Sequence, residues 1–487
     1  MLDLLIKGGF LLTMDPQNRV ITKGAIGIQG DTIVKIGQEE EFAGIEAVKV
    51  IDATDKIIMP GLIDTHGHAG HGLIKTIGEG LPGLDWLRLA DYIYFEHTTE
   101  DYWYAEALLS GLERLKFGTT CGHSMLGSAP RIDDPIYAER HVEGMREVGI
   151  RDIIGIGPPR PKWPRRFVQL HNGEQGKEVF VSLSEALVTI RAVLDKWHGK
   201  DKHTYVQVNP SQFGKIMGDS VAEVQDLFRK LMDMVAEYKT KLHAHVYAGD
   251  VKFAYQHLEG VLGPDTIAAH ATGIDNEELQ ILAQTGTNVS SSPSARAVCI
   301  RRCPVPELMQ AGVNVTLASD AASPDRTFDL FKELKVAMIQ HRSHFKDLSY
   351  LPAGRVLRMV TIDAAKALGL DSCIGSLEVN KQADIILLNL NQPHLVPKLM
   401  APLRVAYEAT GHDVSDVIVA GKLLMENRQV LTVDEQKVID LAQREAEKMI
   451  RRAGIEDLLE PPEGFWEGVQ YKYKYFTKEI GVVDPEI

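Results

Sequence analysis

The sequence predicts an α/β fold: a (β/α)8 TIM barrel carrying a small β-sandwich formed from the N- and C-terminal segments. Three observations predict it. Eight short apolar runs alternate with long helical stretches through the middle of the 487-residue chain. Polar residues stand where several of those runs stop. Short strand-like segments separated by turn residues flank this central part on both sides.

In chain order, Leu4–Ile6, Phe10–Met14, Ala25–Gln29 and Ile33–Ile36 read as strands, punctuated by Gly8-Gly9, Asp15-Pro16 and Gly30-Asp31. Such strands need a partner layer to bury their inner face. The segments Ala383–Asn389 and Val417–Met425 are strand-like in the same way, so the sandwich is expected from both ends. The barrel runs are Ile57–Ile63, Thr119–Gly122, Asp152–Ile156, Tyr205–Val208, Leu242–Val246, Thr266–Ala269, Thr287–Ser290 and Val313–Ala318. The helical stretches include Asp101–Lys116, Ser184–Lys196, Val221–Lys239, Glu277–Gln284 and Pro306–Ala311. A charged helix over Val433–Arg452, ended by Gly454, precedes a tail with Phe465, Trp466, Tyr471, Tyr473, Tyr475 and Phe476. That density of aromatics predicts a tail docked on its own barrel or on a neighbouring subunit. The expected division is 1–56 with 372–432 as sandwich, 57–371 as barrel, and 433–487 as helix and tail.

Composition narrows the class. An apolar fraction of 44% is ordinary for a globular chain and excludes disorder. A net charge of −14 argues against nonspecific nucleic-acid binding. There is no run of about 18 apolar residues, so no membrane span is expected. The start lacks a basic n-region, and Asp3 and Lys7 interrupt its short apolar run. It therefore does not read as a signal peptide, and the cytoplasm is the expected location. The four cysteines are Cys121, Cys299, Cys303 and Cys373. Cys299 and Cys303 have no second Cys or His pair nearby and read as ordinary reduced thiols.

The chemistry sits at the ends of the apolar runs, where a TIM barrel places its active site. The first run leads into Asp64-Thr-His66-Gly-His68. Two histidines at i and i+2 on an extended segment point the same way and can reach one ion. The fifth run ends at His243 and His245, the sixth at His270 and the eighth at Asp320. Three imidazoles (His66, His68, His245) and one carboxylate (Asp320) suit a single divalent ion: zinc first, with cobalt, iron or manganese as alternatives. A bound ion lowers the pKa of a water towards ~7. Asp320 can both ligate and take the water proton, and His270 can orient the water or polarise the substrate.

The motifs PGLIDTHGH (Pro60–His68), LHAH (Leu242–His245), TIAAH (Thr266–His270) and LASD (Leu317–Asp320) resemble the amidohydrolase superfamily. GSLEVNKQADIILL (Gly375–Leu388) resembles the stretch where that family re-enters its sandwich, and TIDAAKALGL (Thr361–Leu370) its last barrel helix. The chain is most similar to the branch holding the S-adenosylhomocysteine, guanine and cytosine deaminases and the s-triazine hydrolases. The resemblance implies a mononuclear site at His66, His68, His245 and Asp320, with His270 beside it.

The departures from that pattern bear on the substrate. The deaminases carry a proton-shuttling Glu three residues after the strand-five histidine; here Ala248 stands there, or Val246 if the count starts at His243. Many carry a substrate-contacting His at the end of strand four, where this chain has Asn209. The second strand ends in His123, where an Asp is common. Attack on an aromatic ring without a nearby acid forfeits on the order of 10²–10⁴ in rate. His123 or Asp250 is a candidate replacement acid. Otherwise the substrate needs none, as for amides, carbamates, thiocarbamates, ureas, or rings that lose chloride or a thiolate. Xenobiotic-degrading members of the superfamily use such chemistry.

The expected function is thus a metal-dependent hydrolase cleaving a C–N, C–S or C–halogen bond of a small amide-like or heterocyclic molecule. An aminohydrolase of a nucleobase, nucleoside or s-triazine is the alternative, and a catalytically inactive barrel used as a binding protein is the rival from another class. Asn209, Trp86, Ala248 and His243 are the candidate substrate-contacting positions, and Asp320, His270 and His123 the catalytic ones. His71 and His97 read as surface residues, with the pocket as the alternative, and Tyr92 as pocket wall or core. His341 and His344 flank a helix end and are assigned no chemistry. His171 lies in an insertion, following Pro158–Arg166, that could act as a lid. The only partners expected are a small-molecule substrate and further copies of the chain, as a homodimer or homotetramer.

Overall fold

A computed structural model of the chain describes residues 1–127, 131–170, 176–298 and 302–478; His171 and Cys299 lie outside the described residues. Eight parallel strands, with the two-residue strand His68–Ala69 paired beside the second as a ninth, form the central sheet: Leu62–Asp64, Thr119–Leu126, Arg151–Ile156, Thr204–Val208, Leu242–Tyr247, Thr266–Thr272, Asn288–Ser291 and Val315–Leu317. They are called barrel strands one to eight. The two edges meet through a parallel bridge between Gly67 and Asp320 and a 2.9 Å bond from Asp320 N–H to the His66 carbonyl. All eight sequence-predicted runs supply a barrel strand.

The helices between them follow from local signals. Ser182, Ser220 and Asp275 each form a capping box with Glu185, Glu223 and Glu278, starting helices Leu183–Trp197, Val221–Tyr238 and Asn276–Thr285. Thr99 caps Glu100–Lys116 by accepting from the Tyr102 amide.

The first barrel run needs correction, because it serves two sheets. Lys56–Pro60 pairs antiparallel with Ile385–Asn389 in the terminal sheet, and only Leu62–Asp64 joins the barrel. Gly61 makes the crossing. A Cβ there would lie 2.1 Å from the Thr120 hydroxyl oxygen, so only glycine lets the chain pass that close.

The terminal sheet has nine strands drawn from both ends of the chain, joined by continuous hydrogen bonding. Leu2–Leu12 is one strand rather than the two expected: Gly8-Gly9 is a bulge with a register shift, not a turn. It pairs with Val20–Gln29, with Ala47–Asp52 over its first half and with Lys56–Pro60 beyond. Leu4, Ile6, Ile26 and Ile28 from one end share a core with Ile385, Leu387 and Ile418 from the other. That shared core is why neither end can fold as a layer alone.

The insertion after barrel strand three contains a hairpin, Arg165–Gln169 with Lys177–Val181. The C-terminal helix Glu435–Ala453 packs on Glu100–Lys116. The tail then docks beside the excursion that follows barrel strand one. The Lys474 amide donates to the Gly80 carbonyl (2.7 Å) and the Phe476 amide to Asp85 Oδ2 (3.2 Å). Phe476 is buried with its ring centroid 5.4 Å from that of Tyr92. Trp466, Val469, Tyr473 and Tyr475 stay exposed. Among the described residues, no helix is long and apolar enough to cross a membrane.

Candidate metal centre

The closure of the barrel builds the site. Joining strand eight to strand one through Gly67 and Asp320 sets the Asp320 carboxylate against two imidazoles: its Oδ1 is 3.5 Å from His66 Nε2 and 3.3 Å from His68 Nε2. His245, at the end of strand five, has its ring centroid 5.1 Å from that of His66 and 5.4 Å from that of His68. The ligand atoms of His66, His68 and His245 lie within 4.8 Å of one another, as do those of His66, His270 and Asp320. The structure therefore brings together every residue the sequence assigned to the ion, with His270 beside them. Asp320 (φ 62°) and His270 (φ 74°) both have left-handed backbones, a costly conformation for residues with a Cβ that the surrounding barrel must hold in place.

The outer nitrogens of the imidazoles are tied down. His68 Nδ1 bonds the Gly127 carbonyl and His245 Nδ1 the Ser211 carbonyl, each at 2.7 Å. A carbonyl can only accept, so Nδ1 carries the proton in both rings and Nε2 presents its lone pair. His66 Nδ1 lies 3.0 Å from His243 Nε2, while its own Nε2 is buried with no hydrogen-bond partner. Burial first, then the neighbouring imidazoles, hold His245 well below the ordinary imidazole pKa; burial likewise lowers His66. Neutral imidazoles with inward lone pairs and an adjacent carboxylate are the donor set a divalent ion takes.

The other candidate residues divide by accessibility. Trp86, half-buried on helix Gly83–Glu96, has its ring 5.4 Å from that of His71. His71 is buried with its ring 5.1 Å from that of His68, which corrects the surface reading. The HxHxxH spacing of His66, His68 and His71 was the available signal. His97 is half-buried beneath Tyr92, at 4.3 Å between centroids, and is not a surface residue either. Of the pair at the helix end, His341 is buried beside Arg302 and His344 is exposed.

Ala248 is exposed and offers no proton. Asp250, the candidate replacement, accepts from the Tyr247 amide (2.8 Å) and from Gln212 Nε2 (2.9 Å), and burial pushes it up to about 6. These bonds brace the loop whose Ser211 carbonyl holds His245. His243, His123 and Asn209 are wholly buried behind the candidate ligands. His123 stacks on His243 at 4.1 Å, and Asn209 Nδ2 donates to the His243 carbonyl at 2.7 Å. Sequence reasoning gave no role to Asp64, although it lies in the motif PGLIDTHGH, or to Arg114, a lone helical Arg that carries no motif; both are buried beneath the site.

The sequence profile of the amidohydrolase family matches residues 57–424, and the chain belongs to that family. Among its relatives, the 5'-deoxyadenosine deaminase of Methanosarcina mazei is 30% identical over 93% of this chain and 99% of its own. The 5-methylthioadenosine/S-adenosylhomocysteine deaminase of Thermoanaerobacter pseudethanolicus is 30% identical over 93% of this chain and 100% of its own. Two solved structures share the fold: a zinc-bound adenosine deaminase from Xanthomonas campestris (TM-score 0.80, 22% identity, 92% of this chain and 99% of that one), and the atrazine chlorohydrolase of Arthrobacter aurescens with zinc (TM-score 0.79, 22% identity, 91% and 100%). The chain is a metal-dependent hydrolase of C–N bonds, and its cofactor is a divalent ion, zinc in both of those structures.

Proposed function

We propose that this hydrolase acts at the carbonyl or carbonyl-like carbon of a small amide, carbamate, thiocarbamate or urea, releasing an amine or thiol. The observation that carries this reading is Ala248. A methyl group stands where deaminases of the family hold the Glu that protonates the ring and the leaving ammonia. When bound, the ion supplies Lewis acidity and makes water nucleophilic near pH 7. His66, His68, His245 and Asp320 would hold it. Asp320 takes the water proton and returns it to the leaving nitrogen or sulfur. One carboxylate then serves both halves of the reaction, and no second acid is needed at 248. His270 hydrogen-bonds the oxygen on which charge develops. Trp86, backed by the buried His71 ring, forms an apolar wall for the substrate's organic group. We further propose a cytoplasmic location, where the free thiols of Cys121, Cys303 and Cys373 stay reduced, and self-association through the exposed tail.

A hydrolysis screen of the zinc- or cobalt-loaded enzyme tests the substrate reading. Amides, thiocarbamates, phenylureas, chlorinated triazines and adenosine-type nucleosides are offered side by side, and amine, thiol, chloride and ammonia are assayed. The reading expects amine or thiol release to dominate. Rapid ammonia release from 5'-deoxyadenosine with no carbonyl substrate turned over would sink it. The second reading, adenosine-type deamination, draws on the relatives' activities and their match along nearly the whole chain.

A further inference from the structure

Beneath the metal ligands lies a buried ion pair that ties three barrel elements together. Asp64 ends barrel strand one. Its Oδ1 accepts from the Ser319 amide (3.1 Å) and weakly from the His66 amide (3.4 Å), and its Oδ2 accepts from the Ser319 hydroxyl (2.5 Å). One carboxylate thus grips a ligand's own amide on strand one and the residue next to the ligand Asp320 on strand eight. Its cationic partner is Arg114 from helix Glu100–Lys116, with Nη2 3.8 Å from Asp64 Oδ2. Arg114 also reaches strand two: Nη1 donates to Ser124 Oγ (2.8 Å) and Nη2 to the His123 carbonyl (3.0 Å). Its guanidinium lies 4.2 Å over the Phe328 ring, in the segment after strand eight. Asp64 and Arg114 are 0% and 1% exposed, so water does not compete for these bonds.

The residue between His66 and His68 completes the picture. A Cβ on Gly67 would sit 2.3 Å from Arg114 Nη2 and 2.9 Å from the His123 carbonyl oxygen. The space a side chain would occupy there is filled by the guanidinium. Gly67 is also the residue whose bridge to Asp320 closes the barrel. A planar fork with five donors can bond strands one and two together while stacking on Phe328; an ammonium cannot.

We propose that Arg114 is a positioning residue of the metal site, acting through Asp64, and that position 67 is glycine in order to admit its guanidinium. The inference rests on the metal-centre reading, so the test begins with wild-type enzyme. Apoenzyme is titrated with Co²⁺, following the visible spectrum and the stoichiometry. Failure of the wild type to bind one ion would overturn the metal reading itself. With that in hand, Arg114→Met and Gly67→Ala are each expected to weaken Co²⁺ binding about 10–100-fold and to shift the spectrum. The double variant is expected to be no worse than the poorer single one, since both remove the same interaction. Arg114→Lys keeps the charge and most of the volume. It reports on the fork even if Arg114→Met does not fold, and is expected to shift the spectrum and lower kcat more than it raises KM. Wild-type affinity and spectrum in Arg114→Lys, or fully multiplicative losses in the double variant, would overturn the proposal.

Discussion

At the residue scale, the ligand set and the acid–base set have different origins. The candidate ligands His68, His245 and Asp320 are held by backbone, two carbonyls fixing two tautomers and the barrel seam fixing Asp320 against His66 and His68, while His66 leans on the His243 ring. Such a set depends on the groups that orient it. The acid–base position depends on one side chain, and at 248 that side chain is a methyl. Because Ala248 is exposed, a larger residue fits without displacing core. Ala248→Glu is therefore expected to leave metal content unchanged and to raise ammonia release from 5'-deoxyadenosine about 100-fold, the low end of what a placed general acid contributes. Steady-state ammonia assays on both proteins check this. An unchanged rate would mean that something other than the missing carboxylate limits deamination.

At the scale of elements, the eight barrel strands, six of the helices and the cluster of candidate ligands were legible in the sequence. Strand-end polar residues and capping signals are local, as in Ser182 with Glu185. What was not legible depends on partners distant in sequence. The split at Gly61 follows from Thr120, the Gly8-Gly9 bulge from pairing with Val20–Gln29, and the burial of His71 from Trp86 and His68. His243 and Asn209 read as pocket residues because strand-end position does not reveal which way a side chain faces; both turn inward, His243 onto His66 and Asn209 onto the His243 carbonyl. Gathering histidines on strand ends also has a cost in acid. Burial holds His66, His71, His123, His243 and His245 below the ordinary imidazole range, and His97 and His341 down at about 4. Each stays neutral in the folded protein while the unfolded chain takes up a proton below about pH 6.5. Stability is thus present above that pH and is lost as pH falls from about 6.5 towards about 4. Glu333, raised to about 7, and Asp250, raised to about 6, oppose the trend, because burial favours their protonated forms in the fold. Asp64, Asp91 and Asp329 are raised too, and His198 and His203 lowered, so nine imidazoles outweigh five carboxyls, and each uncompensated proton contributes about 1.4 kcal/mol per pH unit. The urea midpoint of the apoenzyme is expected to drop steeply between pH 7 and pH 5. A flat profile over that interval would show that the cluster is hydrated rather than buried.

At the scale of the whole molecule, the tail connects the helix that carries Trp86 to the surface. Its inner side is committed. Lys474 and Phe476 bond the excursion after barrel strand one, Phe476 packs on Tyr92, and the same excursion leads into the helix that carries Trp86. Its outer side is not. Trp466 is 85% exposed, Tyr475 68% and Tyr473 54%, and Val469 is fully exposed, on a chain whose other large side chains are mostly sequestered. Aromatics of this size bring about 150–250 Å² each to an interface, so three of them with Val469 supply much of the roughly 800 Å² per partner of a standard interface. A patch that repeats on each copy favours an isologous, two-fold contact. The full chain is therefore expected to run as a dimer, or a dimer of dimers, in light scattering at micromolar concentration. Trp466→Ser with Tyr475→Ser is expected to shift it towards monomer without unfolding the barrel, because neither side chain contributes to the core. A wild-type mass equal to one chain would end this reading and leave the tail as a brace for the Trp86 helix alone.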